Sequence, residues 1–188
     1  MRTFLARSTR NTTAFTIIEM LVVIGILSVI IVSLLIVLNP VDAQRRSRDT
    51  KRLKDVYTMQ ALLTQYIDEG GSFTACTTAT PCESDATANN EAAPCSGSGN
   101  WIGGIDVCKY TRTVPVDPLN ATQARCVTGT GTSSETCDMF YRVAVAGRSF
   151  EINVKMESSN NELKVTGDNG DSAAWYENFS SANNLMTN

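Results

Sequence analysis

Polar and apolar positions divide the chain sharply. From Phe15 to Leu38 it reads FTIIEMLVVIGILSVIIVSLLIVL, with Glu19 as the one charge. A helix rises about 1.5 Å per residue, so a run of this length reaches across the ~30 Å hydrocarbon core of a bilayer. The expectation is a helix immersed in apolar surroundings. A carboxylate at the centre of such a segment costs about 2.5 to 3.5 kcal/mol and is kept with a partner, unless it lies within a turn of the membrane surface. Gly25, Ser28 and Ser33 are small enough to let a second helix approach, or are simply lipid-facing.

Asn39 and Pro40 interrupt the run, and the missing proline N–H predicts a kink at Pro40. Helical spacing resumes from Val41 to Glu69. Leu53, Val56, Tyr57, Gln60, Leu63 and Ile67 follow steps of three and four, Met59, Leu62 and Tyr66 widen the stripe, and Gly70 with Gly71 stops it. This helix starts as a polar stalk, RRSRDTKRLKD, expected to be solvated and partly self-paired, Arg45 with Asp49 and Lys51 with Asp55. Its bases could equally meet anionic headgroups or the acids of neighbouring subunits.

Beyond Gly70 the pattern changes. Residues 72 to 100 carry almost no large apolar side chain and read as a long surface loop. Trp101, Ile102 and Ile105 are expected to plug the domain, and Val114 to Asn120, VPVDPLN, forms a turn fixed by two prolines. Alternation then marks a hairpin. Tyr141, Val143 and Val145 alternate before the turn Ala146-Gly147-Arg148, and Phe150, Ile152, Val154 and Met156 alternate against Glu151, Asn153, Lys155 and Glu157 after it. One wet face is expected, with Glu162 to Thr166 as a further strand. The fold class is α+β, a long N-terminal helix whose amphipathic second half packs on a small antiparallel sheet.

Charge and cysteines narrow the setting. The 188-residue chain is formally −3, and its C-terminal region is acidic, which argues against nucleic acid as a partner because phosphate binding needs clustered bases. Six cysteines, Cys76, Cys82, Cys95, Cys108, Cys126 and Cys137, all follow the helical region. An even count in a small loop-rich domain reads as disulfides in an oxidising compartment, with the connectivity open and neighbour pairing the expectation: Cys76 with Cys82, Cys95 with Cys108, Cys126 with Cys137. Zinc is disfavoured, because the chain has no histidine and no CxxC pair. Counting bases across the apolar run, three arginines before it against six lysines and arginines after it, favours a cytoplasmic C-terminal side. Cysteine usage favours the opposite topology.

What precedes the run bears on that conflict. Residues 1–14, MRTFLARSTRNTTA, are short and basic, and the apolar run leaves into Asn39 and Pro40 without a small-residue cleavage site. Basic leader, small residue, Phe15, Thr16, two aliphatics, Glu19 and a long apolar helix together resemble the class III signal of type IV prepilins and pseudopilins. The resemblance implies that a prepilin peptidase cuts on the cytoplasmic side between Ala14 and Phe15 and methylates the new amino group. Ala14 departs from the family's usual glycine. It further implies that Glu19 pairs with the terminal amine of a neighbouring subunit as helices stack into a homopolymer, helped by inner-membrane assembly machinery. The segment VPVDPLN is similar to the Pro-Asp-Pro region of major pseudopilins. A plain signal anchor is the alternative reading.

On this basis the chain divides into a leader (1–14), a membrane and filament-core helix (15–38), an amphipathic helix (39–69) and a disulfide-containing β domain (70–188). Expected function is a structural subunit of a type IV pilus-like filament, first a single-pass precursor in the cytoplasmic membrane and then extracellular. The alternatives are a pseudopilin of a secretion or DNA-uptake machine, and a membrane-anchored adhesion module or minor tip subunit. Asp168, Asn169 and Asp171 in GDNGD form a candidate calcium loop, because hard cations take such oxygen clusters and major pseudopilins hold calcium in a C-terminal loop; a plain turn is the competing reading. Catalysis is not expected. Without histidine there is no Ser-His or Cys-His pair, and no phosphate loop or GxSxG motif occurs.

Overall fold

The structure is a computed structural model that describes residues 15–86, 93–95, 100–129, 134–180 and 185–186. It separates into two units, Met1–Pro40 and Val41–Asn188. In the first, α1 (Ile17–Leu38) opens on Thr16 as its N-cap and closes on Asn39. Every residue of α1 is exposed. At 22 residues and about 33 Å it is long and apolar enough to cross a bilayer. The helix stops at Asn39, whose left-handed backbone (φ 39°) ends the ladder, and α2 (Pro40–Asp68) begins on the proline. Proline fits there because the first helical position has no intrahelical use for its N–H.

In the second unit α2 ends at Gly70, where φ is +83° and the N–H groups of Gly70 and Gly71 return to the carbonyls of Ile67 and Tyr66. That is the glycine-dependent stop the sequence announces. Its buried stripe is Asp49, Arg52, Val56, Met59, Leu62, Leu63 and Ile67. Two residues expected in the stripe turn outward: Tyr57 is 58% exposed and Gln60 half-buried. The reason is rotation. Burying Arg52 and Met59 centres the contact face some way round the helix from Leu53, Tyr57 and Gln60.

The main sheet is antiparallel in the order β1 (Cys82–Glu83), β6 (Tyr141–Ala146), β7 (Ser149–Val154), β8 (Tyr176–Phe179). Register pairs Tyr141 with Val154, Val143 with Ile152 and Val145 with Phe150, so these six line one face and enter the core with Val56, Met59, Leu63 and Ile67 of α2. A fully buried aliphatic side chain contributes about 1.5 to 3 kcal/mol, which makes this helix-on-sheet layer the main source of stability. Trp101, Ile102 and Ile105 fill its end, and the indole N–H of Trp101 donates to the Pro115 carbonyl at 2.8 Å. Two smaller ladders stand beside it, β2 (Ala93–Pro94) with β3 (Thr113–Val114), and β4 (Thr122–Val127) with β5 (Ser134–Met139).

Three expectations about the sheet are corrected. Glu162–Thr166 is a short helix, α3, not a strand. Ser158 caps the turn before it, and the place beside β7 is taken by β8. The expected wet face is largely buried, with Glu151, Asn153, Glu157 and Glu177 at most 2% exposed. Chain from the C-terminal end covers it: the N–H groups of Leu185 and Met186 both donate to Glu151 Oε2. Finally, the loop after residue 72 supplies the edge strand β1, pairing Cys82 with Val143 and Glu83 with Arg142. A two-residue strand without large apolar side chains leaves no periodic trace.

Candidate assembly helix and buried charge cluster

The first-turn chemistry of α1 is local. Glu19 sits at the third helical position, where its Oε2 accepts both the Thr16 N–H and the Thr16 hydroxyl at 2.8 Å, while Thr16 Oγ1 accepts the Glu19 N–H. This reciprocal capping box satisfies donors that a helix start leaves open. The carboxylate, which the apolar run alone would leave unsupported, therefore has an intrachain partner one residue from Phe15. Phe15 itself is exposed. Ala14, the other residue of the expected cleavage site, lies outside the described residues. Ser28 and Ser33 turn their hydroxyls back onto the carbonyls of Gly25 and Ile30, which hides their polarity within the helix.

Where solvated stalk was expected, α2 carries a buried ionic cluster. Arg52 is fully buried and forks onto Asp117 (Nε to Oδ2 2.7 Å, Nη2 to Oδ1 2.9 Å) while Nη1 reaches Asp49 at 2.8 Å and Glu157 at 2.7 Å. Arg48 forks onto the same Glu157 at 2.7 and 2.5 Å. Asp49 in turn accepts the N–H groups of Glu157 and Ser158 and the side-chain amide of Asn161. The expected Arg45–Asp49 pairing is replaced: Asp49 faces Arg52, three residues on in the same helix, and the chain after β7, and a second intrahelical pair joins Arg46 to Asp42. Arginine suits this place because its planar fork matches two carboxylates at once and remains charged when buried.

Electrostatics follow from the packing. Burial alone would lower the Arg52 pKa, but the hydrogen-bonded charges of Asp117 and Glu157 outweigh it and raise it. Burial would likewise raise Glu157, and the two guanidiniums reverse that and hold it below the usual carboxylate range. One turn further on, burial pushes Asp55 up although the Tyr141 hydroxyl donates to it at 2.9 Å. The cluster therefore binds three segments far apart in sequence, the first half of α2, the Pro115–Pro118 turn and the chain after β7. Sequence reasoning missed it; the one available signal was an aspartate, Asp117, locked between two prolines.

The remaining candidate residues are placed as follows. Bridges join Cys76 to Cys82, Cys95 to Cys108 and Cys126 to Cys137. They tie the β1 edge, the end of β2 to the short turn Val107–Lys109, and the β4–β5 hairpin. In GDNGD, Asp168 accepts the Gly170 N–H at 2.9 Å and the Glu177 N–H at 2.7 Å, Asn169 takes the left-handed turn (φ 69°), and Asp171 points to solvent. Asp168 serves the turn itself. Among the described residues no group of three or more acidic, cysteine or histidine side chains is placed to hold a metal ion.

No family model matches the chain, and no curated protein and no solved structure matches it. The reading of α1 therefore rests on its own chemistry.

Proposed function

We propose that this chain is the structural subunit of a type IV pilus-like filament, cleaved before Phe15 and polymerised through α1. The observation that carries the reading is an apolar 22-residue helix with no buried residue, which opens on Thr16 and Glu19 immediately after Phe15. Such a surface needs lipid or other helices around it. Within one subunit Glu19 is held by the Thr16 N–H and hydroxyl. Cleavage before Phe15 would place an ammonium beside that box, and a neighbour's ammonium would offer the carboxylate a charged donor in place of a neutral one. Two charges that are each costly in apolar surroundings become tolerable as a pair, which sets the register of the next subunit. A prepilin peptidase and inner-membrane assembly machinery are the partners this requires, and the precursor would sit in the cytoplasmic membrane.

The test is mass spectrometry of filaments sheared from the producing cells, together with the Glu19→Ala variant. Abundant wild-type protein beginning at methylated Phe15, with loss of the variant from filaments but not from the membrane, is the expected result. Protein confined to the membrane and beginning at Met1 would reject the proposal in favour of a signal-anchored binding domain. Normal filaments from the Glu19→Ala variant would reject the role of that carboxylate.

A further inference from the structure

The edge of β6 that faces β1 is covered by one short stretch of chain. The Tyr141 N–H donates to the Ser84 hydroxyl at 2.9 Å, Val143 pairs with Cys82 in the β1 ladder, and the Val145 N–H donates to the Cys76 carbonyl at 2.7 Å. Each residue of β6 that turns its backbone to this edge is thus met by residues 76–84. The flanks of the stretch are seated separately. Ser84 and Asn120 exchange hydrogen bonds at 2.6 and 2.8 Å, and Gly104, at φ +81°, leaves no room for a Cβ beside Ala75. Between these seats β1 is two residues long, and Cys76 holds a left-handed backbone, φ 58°, that a residue with a Cβ adopts at a cost. The Cys76–Cys82 bridge closes the stretch over a sequence separation of 6, and on chain entropy a loop that short raises the ratio of closed to open cover by about 50-fold.

Uncovered, β6 would present YRVAVA, a β-forming run with one charge and no proline, and a sheet edge of that kind is a template for another strand. The strand is also complementary to itself. Two-fold antiparallel pairing about Val143 sets Tyr141 against Val145 of the other copy and Arg142 against Ala144. The apolar side chains that face the core in β6 then share one face across the pair, the outward backbone groups of Tyr141, Val143 and Val145 all find partners, and the two arginines do not meet. We infer that residues 76–84 form a clasp whose bridge keeps a second copy of this chain off the β6 edge. A chain with the Cys76 and Cys82 thiols still free pairs β6 to β6, and the bridged chain does not. The inference goes beyond the filament reading and does not rest on it, since neither α1 nor Glu19 takes part.

The test compares the oxidised full chain in detergent with its Cys76→Ser, Cys82→Ser variant. In dilute protein, hydrogen exchange at the Val143 and Val145 amides should be at least tenfold faster in the variant. At high concentration the contact is read with p-benzoylphenylalanine in place of Ala146, which is exposed at the end of β6. Pairing about Val143 brings that position to Phe140 of the other copy, so the variant should give a photo-adduct of two copies mapped to the peptide containing Phe140, and the bridged chain should not. Tryptophan fluorescence reports folding. Cys76→Gly with Cys82→Ala, which suits the left-handed backbone at position 76, takes the place of the serine pair if that pair does not fold. Exchange at β6 unchanged by loss of the bridge, no adduct or an adduct elsewhere in the variant, or an equal β6 adduct from the bridged chain would each overturn the inference.

Discussion

Replacing Arg52 with methionine is the sharpest test of how α2 is held. The substitution keeps the unbranched stem and removes four charge-assisted hydrogen bonds, two to Asp117 and one each to Asp49 and Glu157. The three carboxylates do not suffer equally. Asp49 keeps three N–H donors and Glu157 keeps the fork from Arg48, whereas Asp117, fully buried, keeps the Leu119 N–H as its hydrogen bond. Removing one partner of a buried pair costs about 3 to 5 kcal/mol, and here that cost falls mainly on Asp117. For a domain of this size it corresponds to a fall in Tm of roughly 6 to 20 °C. Asn at 117 can still accept the Leu119 N–H without a charge, so Arg52→Met with Asp117→Asn should recover about 1 to 3 kcal/mol over the single variant. Urea unfolding of the oxidised full chain in detergent, followed by the fluorescence of Trp101 and Trp175, measures both. A cost under about 1 kcal/mol for Arg52→Met, or a double variant no more stable than the single one, would refute the view that this cluster clamps the helix.

Acid should loosen the same clamp: because the folded pKa of Glu157 is depressed, its stabilisation is present above the unfolded value of about 4.3 and is lost as pH falls through the lower folded value. Asp55 and Asp168, raised by burial, act in the opposite sense, so Tm against pH should fall steeply only below about pH 4, and Glu157→Gln should flatten that limb. At Gly70, where φ is +83° and an added Cβ would meet no atom within 4 Å, Gly70→Ala should cost about 1 to 2 kcal/mol from backbone conformation alone, read as a shift in the urea midpoint at constant slope.

Some elements were legible because their causes are local. Apolar composition makes α1, a three-to-four period with terminal glycines makes α2, and strict alternation with a glycine turn makes β6 and β7. The capping box of Thr16 and Glu19 obeys an equally local rule, since a helix start brings positions three apart together, but the apolar run drew attention only to a partner for Glu19 outside the chain. Gly70 announced its own positive φ. Glu162–Thr166 failed as a strand because five residues are too few for period to separate helix from strand, and the capping turn at Ser158 decided it.

The sequence by itself thus determined the apolar helix, the amphipathic helix and the hairpin, and with them the candidate assembly chemistry at Phe15 and Glu19. Only the tertiary structure decided which charges go inside. Arg52 meets Asp117 across 65 residues of chain and Glu157 across 105, and Glu151 is covered by N–H groups more than 30 residues away. No window of sequence contains both members of such a pair. A charged residue reads as exposed until the partner that permits its burial is in place, because a buried charge is stable only with its counter-charge and hydrogen bonds already arranged around it.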